Sequence, residues 1–208
     1  MSPNFSDVAE FYNTRFESLG RSIGSVGWGS YADQSLRFEM LFRGIDVKGK
    51  VVLDVGCGLG DLVDWLDQRT GGDFTYIGID IAAKLLDDAR KRFSSDKCHF
   101  LEGEILNLEL PQVDISVLSG ALTVKMPNMY DYAKKVLLQM HNLSRNWACA
   151  NFLSTYVDFE LKKNQHYRPE EVFTWARQIS SKVNLFHDYP LYEFTLQMAR
   201  MMPSEERK

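Results

Sequence analysis

An acid followed by glycines at alternating positions, Asp54-Val55-Gly56-Cys57-Gly58-Leu59-Gly60, stands directly after the apolar run Val51-Val52-Leu53 and before a helical pattern that opens near Asp61. Glycines let a chain turn sharply and bring its backbone against a ligand with no Cβ in the way, and a helix start leaves N–H groups without intrahelical partners. Two further acids follow at matching places. The next apolar run ends Ile77-Gly78-Ile79-Asp80, and the one after it ends Leu101-Glu102-Gly103-Glu104. A strand-to-helix turn explains one glycine cluster by packing alone, but three acids at three successive strand ends describe the rim of a ligand site.

Two ligand classes use such a turn. A nicotinamide dinucleotide needs a small residue at position 61, where its pyrophosphate meets the helix, and Asp61 places a negative charge there. S-adenosylmethionine carries no phosphate, so Asp61 is tolerable, and Asp54 suits the ammonium group of its methionine part. Asp80, 20 residues after Gly60 and with Ile81 beside it, suits the ribose hydroxyls. Glu104 and the Ile105 backbone fall where the adenine edge would lie. Gly56, Gly58 and Gly60 supply the turn.

Residues 52 to 60 resemble motif I of the class I S-adenosylmethionine-dependent methyltransferases, Asp80 resembles their ribose-binding acid, and Gly103-Glu104 resembles their adenine-side Gly-Asp with Glu in place of Asp. Gly27-Trp28-Gly29-Ser30, Gln34, Arg37-Phe38, Asn151-Phe152-Leu153 and His187-Asp188-Tyr189-Pro190 are similar to a bacterial subgroup of the small-molecule type. The resemblance implies an α/β, Rossmann-like, seven-stranded mixed sheet of order 3-2-1-4-5-7-6. Helices would cover both faces, and the last-inserted strand would be antiparallel. Amino-methylating nucleic-acid enzymes of this fold carry Asn/Asp-Pro-Pro-Tyr after the fourth strand, where this chain has Leu118-Ser119-Gly120. That absence disfavours DNA N-methylation, while Ser119 is well placed to touch the donor, the competing reading being that Ser-Gly simply begins a loop.

Methyl transfer from a sulfonium is an in-line displacement, so alignment and exclusion of water are the main demands on the protein. An oxygen or protonated nitrogen acceptor also needs a base. His187 with Asp188 is the first candidate, because imidazole titrates near neutrality; a residue that merely caps a hairpin turn is the competing reading. Tyr12, Tyr31 and His166 are weaker candidates, and His99 reads as core. The segment from Gly20 to Ser30 holds four glycines and Trp28, the composition of a lid that closes over a cofactor. Arg37, among apolar neighbours on a helix, is either a surface residue or a salt bridge to the donor's carboxylate.

The elements that must position these residues follow from periodicity. Val8, Phe11, Tyr12, Phe16 and Leu19 predict a helix ending at Gly20, and Ser30 with Asp33 has the form of a capping box for a helix through Leu41. Helical patterns then alternate with apolar runs at 51–53, 76–79, 98–101, 113–118 and 147–153, the rhythm of parallel strands with crossover helices. Pro169-Glu170-Glu171 predicts a first helical turn. Two strand-like runs, 183–187 and 191–198, are separated by a short turn and predict an antiparallel hairpin. One domain over 1–208 is expected, with N-terminal helices and lid in 1–48 and the Rossmann-like core in 49–208.

With 24 Lys+Arg against 28 Asp+Glu the chain has a net charge of -4, which gives no global field for a polyanion. A small-molecule substrate is expected, with no nucleic acid partner. Met1 to Leu19 lacks the basic start and apolar run of a secretory signal, and no stretch approaches the ~20 apolar residues that span a bilayer. The three cysteines, Cys57, Cys98 and Cys149, are odd in number and far apart, which argues against a disulfide framework and a zinc knuckle. A cytoplasmic protein without membrane contact or metal is the expectation. A non-catalytic binder of S-adenosylmethionine or its product, and an NAD-linked oxidoreductase disfavoured by Asp61, stand as alternatives to a methyltransferase.

Overall fold

A computed structural model describes residues 5–200; the first four and last eight residues of the expected domain lie outside the described residues. The elements run α1 (Ser6–Leu19), α2 (Tyr31–Leu41), β1 (Lys50–Val55), α3 (Asp61–Thr70), β2 (Phe74–Asp80), α4 (Ala83–Arg92) and β3 (Cys98–Glu102). They continue as β4 (Val113–Leu118), α5 (Met129–Leu143), β5 (Ser144–Leu153), α6 (Pro169–Ile179), β6 (Val183–Phe186) and β7 (Glu193–Ala199). The sheet has the expected order β3-β2-β1-β4-β5-β7-β6. Strands β1 to β5 pair in parallel, and β7 enters antiparallel between β5 and β6.

Side chains on a strand alternate between faces, so each run feeds two cores. Leu53, Val55, Ala148, Ala150 and Phe152 meet α5 and α6 through Val136, Met140, Val172 and Trp175. Val52, Ile115, Val117 and Cys149 on the other face meet α2, α3 and α4 through Phe38, Leu41, Leu66 and Leu86. A smaller cluster seats α1: Tyr12 and Phe16 pack with Val26 against Leu59, Ala82 and Leu85. This cluster brings the N-terminal helix to the end of the sheet where β1 and β2 finish.

Helix ends follow local chemistry. Ser30 Oγ accepts the Asp33 N–H at 3.1 Å, as the capping box predicts. Pro169 opens α6, with Glu170 and Glu171 in its first turn. Strand β5 begins at Ser144, earlier than the apolar run at 147 suggests, because Ser144 Oγ bonds Ser116 Oγ at 2.7 Å and Met140 O at 2.8 Å as soon as α5 ends. The hairpin is shorter than its apolar runs. The hairpin's last pair is Phe186 with Thr195, and β7 begins at Glu193, so residues 187–192 lie between the two strands. His99, read as core, is exposed on the edge strand β3.

Since β1, β2, β4 and β5 are parallel and β7 is antiparallel to β5, the ends of the first four and the start of β7 share one edge. Register makes this concrete: Val55 pairs Ile79 and Leu118, Leu118 pairs Ala150, and Leu153 pairs Glu193.

Candidate functional site

The glycine turn is fastened to the neighbouring strand before any ligand is considered. Ile79 O accepts the N–H groups of Gly56 at 2.8 Å and Cys57 at 3.0 Å. Asp80 closes the turn: Oδ2 accepts the Gly58 N–H at 2.8 Å, and Oδ1 accepts the Ala82 N–H at 2.9 Å. A carboxylate has about four lone-pair sites, so both oxygens retain acceptor capacity. Burial raises the Asp80 carboxyl above its ordinary value, and the N–H groups of Ala82, Gly58 and Ile81 oppose that rise. Gly56 has φ +76, and a Cβ there would lie 2.4 Å from Ala121 Cβ, so no other residue fits where the turn passes the loop after β4.

These residues border one cavity at the strand ends. Asp54, Gly56, Gly58, Asp80 and Ile81 line one wall; Glu104, Ile105 and Ser119 line another. Asp54 is 4% exposed and accepts the Tyr76 hydroxyl at 2.8 Å. Burial pushes its carboxyl up to about 7; the Tyr76 bond works against this, and the charges of Asp80 and Asp61 add to it. Tyr132 Oη donates to Glu104 Oε2 at 3.4 Å. Burial raises the Tyr132 phenol, as does the Glu104 charge, which fixes the hydroxyl as a donor.

The N-terminal segment supplies the cover. Tyr12, Val26, Gly27 and Trp28 all line the cavity. Tyr12 was a candidate base, but burial and the nearby Asp80 raise its phenol, so it serves as a proton-bearing wall. The Trp28 ring lies over Gly120, where a Cβ would come within 2.3 Å of it, and over the Arg37 guanidinium at 4.0 Å.

Several expected residues lie elsewhere. Gly60 does not border the cavity, because it starts α3 pressed against Phe93 and Phe100, 3.1 Å from where its Cβ would be. Arg37 is neither a surface residue nor a wall of the cavity. It is 8% exposed and its Nε and Nη2 bond the Glu193 carboxylate at 2.6–2.9 Å. His187 and Asp188 are exposed and off the cavity, since they sit in the turn outside the strand ladder. Arg43 binds Asp188 at 2.9 Å and holds its carboxyl below the usual range. His166 Nδ1 lies 2.7 Å from Ser154 O; a carbonyl only accepts, so Nδ1 carries the hydrogen. His166 and Tyr31 are likewise off the cavity lining. Asp61 lines the cavity, but its charge is met by Arg92 at 2.8 Å and Gln34 at 3.1 Å.

Periodicity gives no reason to place Tyr132 at the site, whereas Val26 lies in the segment read as a lid and Gln34 among the residues that carry the resemblance. They reach it from α5, the glycine-rich segment and α2. Among the described residues no group of three or more His, Cys, Asp and Glu could hold a metal ion, and no helix is long and apolar enough to cross a membrane.

Comparison with known proteins bears on this arrangement. The family described as "Methyltransferase domain" matches residues 52–145. The "Putative methyltransferase Rv1506c" of Mycobacterium tuberculosis is 30% identical over 151 residues, spanning 69% of this chain and 89% of that protein. The 2-phytyl-1,4-naphtoquinone methyltransferase of a Nostoc species is 27% identical over 146 residues, 68% of this chain and 61% of that protein. In fold, the chain is similar to the magnesium protoporphyrin IX methyltransferase of Synechocystis solved with bound SAH, with a TM-score of 0.69 at 13% identity, covering 95% of this chain and 100% of that one.

Proposed function

Because the chain belongs to the class I S-adenosylmethionine-dependent methyltransferases, we propose that it moves a methyl group from S-adenosylmethionine to an oxygen or nitrogen of a small polar metabolite by in-line displacement. One observation carries the assignment of the donor site. Asp54 and Asp80 border the same cavity on either side of a turn whose Gly56 and Gly58 put no side chain between them. The residues fit the donor group by group. Asp54 suits its ammonium, Asp80 its ribose hydroxyls, and Glu104 with Ile105 its adenine edge. S-adenosylmethionine, when bound, supplies the electrophilic methyl carbon.

The chain's own residues align the partners and keep water out. Tyr12 and Trp28 provide the cover, and Ser119 stands between donor and acceptor sides. His187 and Asp188 have no part in this proposal, since their turn is held outward by Arg43. Calorimetric titration with S-adenosylmethionine, NAD and NADP tests the donor. Binding of a dinucleotide in preference to S-adenosylmethionine would defeat the reading, and absence of any methylated product across a metabolite panel would leave a binding protein in its place.

Asp54 makes donor binding depend on pH. Its carboxyl titrates near 7 in the free protein, while attraction of an ammonium needs the carboxylate. Affinity is therefore full above that value and falls as pH drops through it, by about tenfold between pH 8 and 6. The folding term has the opposite sign. A carboxyl raised in the folded state holds a proton that the unfolded chain releases, so the charged form opposes folding above pH 7. Asp54→Asn is expected to leave the free protein at least as stable at pH 8 while flattening the pH dependence of donor binding. Equal affinities at pH 6 and 8 in the unmodified protein would remove Asp54 from the ammonium site.

A further inference from the structure

On the face of the sheet covered by α2, the shared strand edge changes from apolar to polar. Ser119 follows Val117 on that face, and Asn151 follows Cys149. Thr195 pairs with Asn151, and Glu193 with Leu153, which puts both on the same face by the alternation of side chains. Much of this polar edge is satisfied. Asn151 Oδ1 accepts the Gly120 N–H at 3.1 Å, the Tyr189 and Thr195 hydroxyls bond at 2.9 Å, and Arg37 grips Glu193.

Three atoms beside these bonds are buried with no hydrogen-bond partner among the described residues: Arg37 Nη1, Asn151 Nδ2 and Ser119 Oγ. The first two can only donate, and the third can donate. Buried donors without acceptors are rare in folded proteins because each gives up its bond to water for nothing. The Trp28 ring lies on the Arg37 guanidinium and in the slot left by the missing side chain of Gly120, the residue that follows Ser119 and whose N–H Asn151 accepts. An indole fills that flat space but offers no lone pair. The slot is thus matched to an aromatic ring in shape and unmatched in hydrogen bonding.

Charge narrows the ligand. Glu193 already cancels Arg37, and Asp54 and Asp61 border the adjoining cavity, so a carboxylate would bring an unbalanced negative charge into a buried place. An uncharged carbonyl oxygen accepts from several donors without that cost. We propose that this slot binds the methyl acceptor: a flat conjugated ring displaces the Trp28 indole, stacks on the Arg37 guanidinium, and presents a neutral carbonyl oxygen, with its two lone pairs, to Asn151 Nδ2 and Ser119 Oγ. The proposal rests on the methyltransferase reading, because Ser119 and Gly120 join the slot to the donor cavity.

Three probes sharing one phenol ring separate the possibilities: 4-hydroxyacetophenone carries a neutral carbonyl, 4-hydroxybenzoate a carboxylate, and 4-ethylphenol neither. Each is titrated into the protein with and without SAH, following affinity and the NMR signals of the Trp28 indole N–H and the Asn151 amide. The ketone is expected to bind at least about tenfold tighter than the other two and to shift both signals. Asn151→Asp keeps the acceptor for Gly120 N–H and replaces the free donor. It should lower ketone affinity by about tenfold and leave SAH affinity unchanged. Ser119→Ala, a smaller change should Asn151→Asp fail to fold, should weaken the ketone more than 4-ethylphenol, which carries no carbonyl for the lost hydroxyl. Equal binding of the three probes, binding of none, or variants that keep ketone affinity would overturn the slot. Loss of SAH binding with ketone discrimination intact would instead sink the donor site.

Discussion

Arg37→Ala is expected to destabilise the protein by about 3–5 kcal/mol, the usual cost of leaving one member of a buried ion pair alone. For a chain of this size that corresponds to a fall in Tm of roughly 6–20 °C. Glu193 is 3% exposed, and its carboxylate is held by the Arg37 fork at 2.6–2.9 Å. Burial already raises the Glu193 carboxyl, with Arg37 drawing it down. Removing Arg37 lets it rise further, so the folded variant keeps a proton that the unfolded chain releases. Stability of Arg37→Ala should therefore drop more steeply than that of the unmodified protein as pH rises from about 5 to 8. Replacing both members, Arg37→Met with Glu193→Leu, should recover most of the loss, because no charge is then left buried. Denaturant unfolding decides the matter, and a loss below about 1 kcal/mol for Arg37→Ala would mean that the pair is solvated.

The sequence made this pair hard to see. Arg37 sits in a helical stripe with Phe38 and Leu41, and its partner is 156 positions away, past every crossover of the sheet. Nothing local distinguishes it from an exposed arginine. By contrast, the glycine turn, Asp54 and Asp80 were legible because their chemistry depends on short spacing: a strand must end, turn and start a helix within a few residues. The hairpin was legible as a hairpin but not in its function. Alternation located two strands, whereas the direction of His187 and Asp188 depends on where pairing stops and on Arg43, which belongs to a distant segment. Gly60 illustrates the same limit from the other side. Its type and spacing match its neighbours Gly56 and Gly58, yet Phe93 and Phe100, from the following crossover, turn it into a packing glycine.

Asp80→Ala should weaken S-adenosylmethionine binding by at least tenfold and by roughly a hundredfold if both ribose hydroxyls are lost as partners, at roughly 1.5–3 kcal/mol for each charged hydrogen bond. The substitution also removes two internal bonds, because Asp80 accepts from Gly58 N and Ala82 N. Those donors stand at the glycine turn and at the start of α4, so part of the loss would come from a loosened turn. Asp80→Asn separates the two effects. Its amide keeps the shape and one oxygen for a backbone N–H, but its NH₂ can no longer accept from a hydroxyl. If the ribose contact dominates, Asn should lose nearly as much affinity as Ala while retaining more thermal stability. If scaffolding of the turn dominates, Asn should recover much of the affinity. A folded Asp80→Ala protein that binds S-adenosylmethionine as the unmodified chain does would show that the acid serves the turn alone, and the donor would then have to be placed differently along the strand edge.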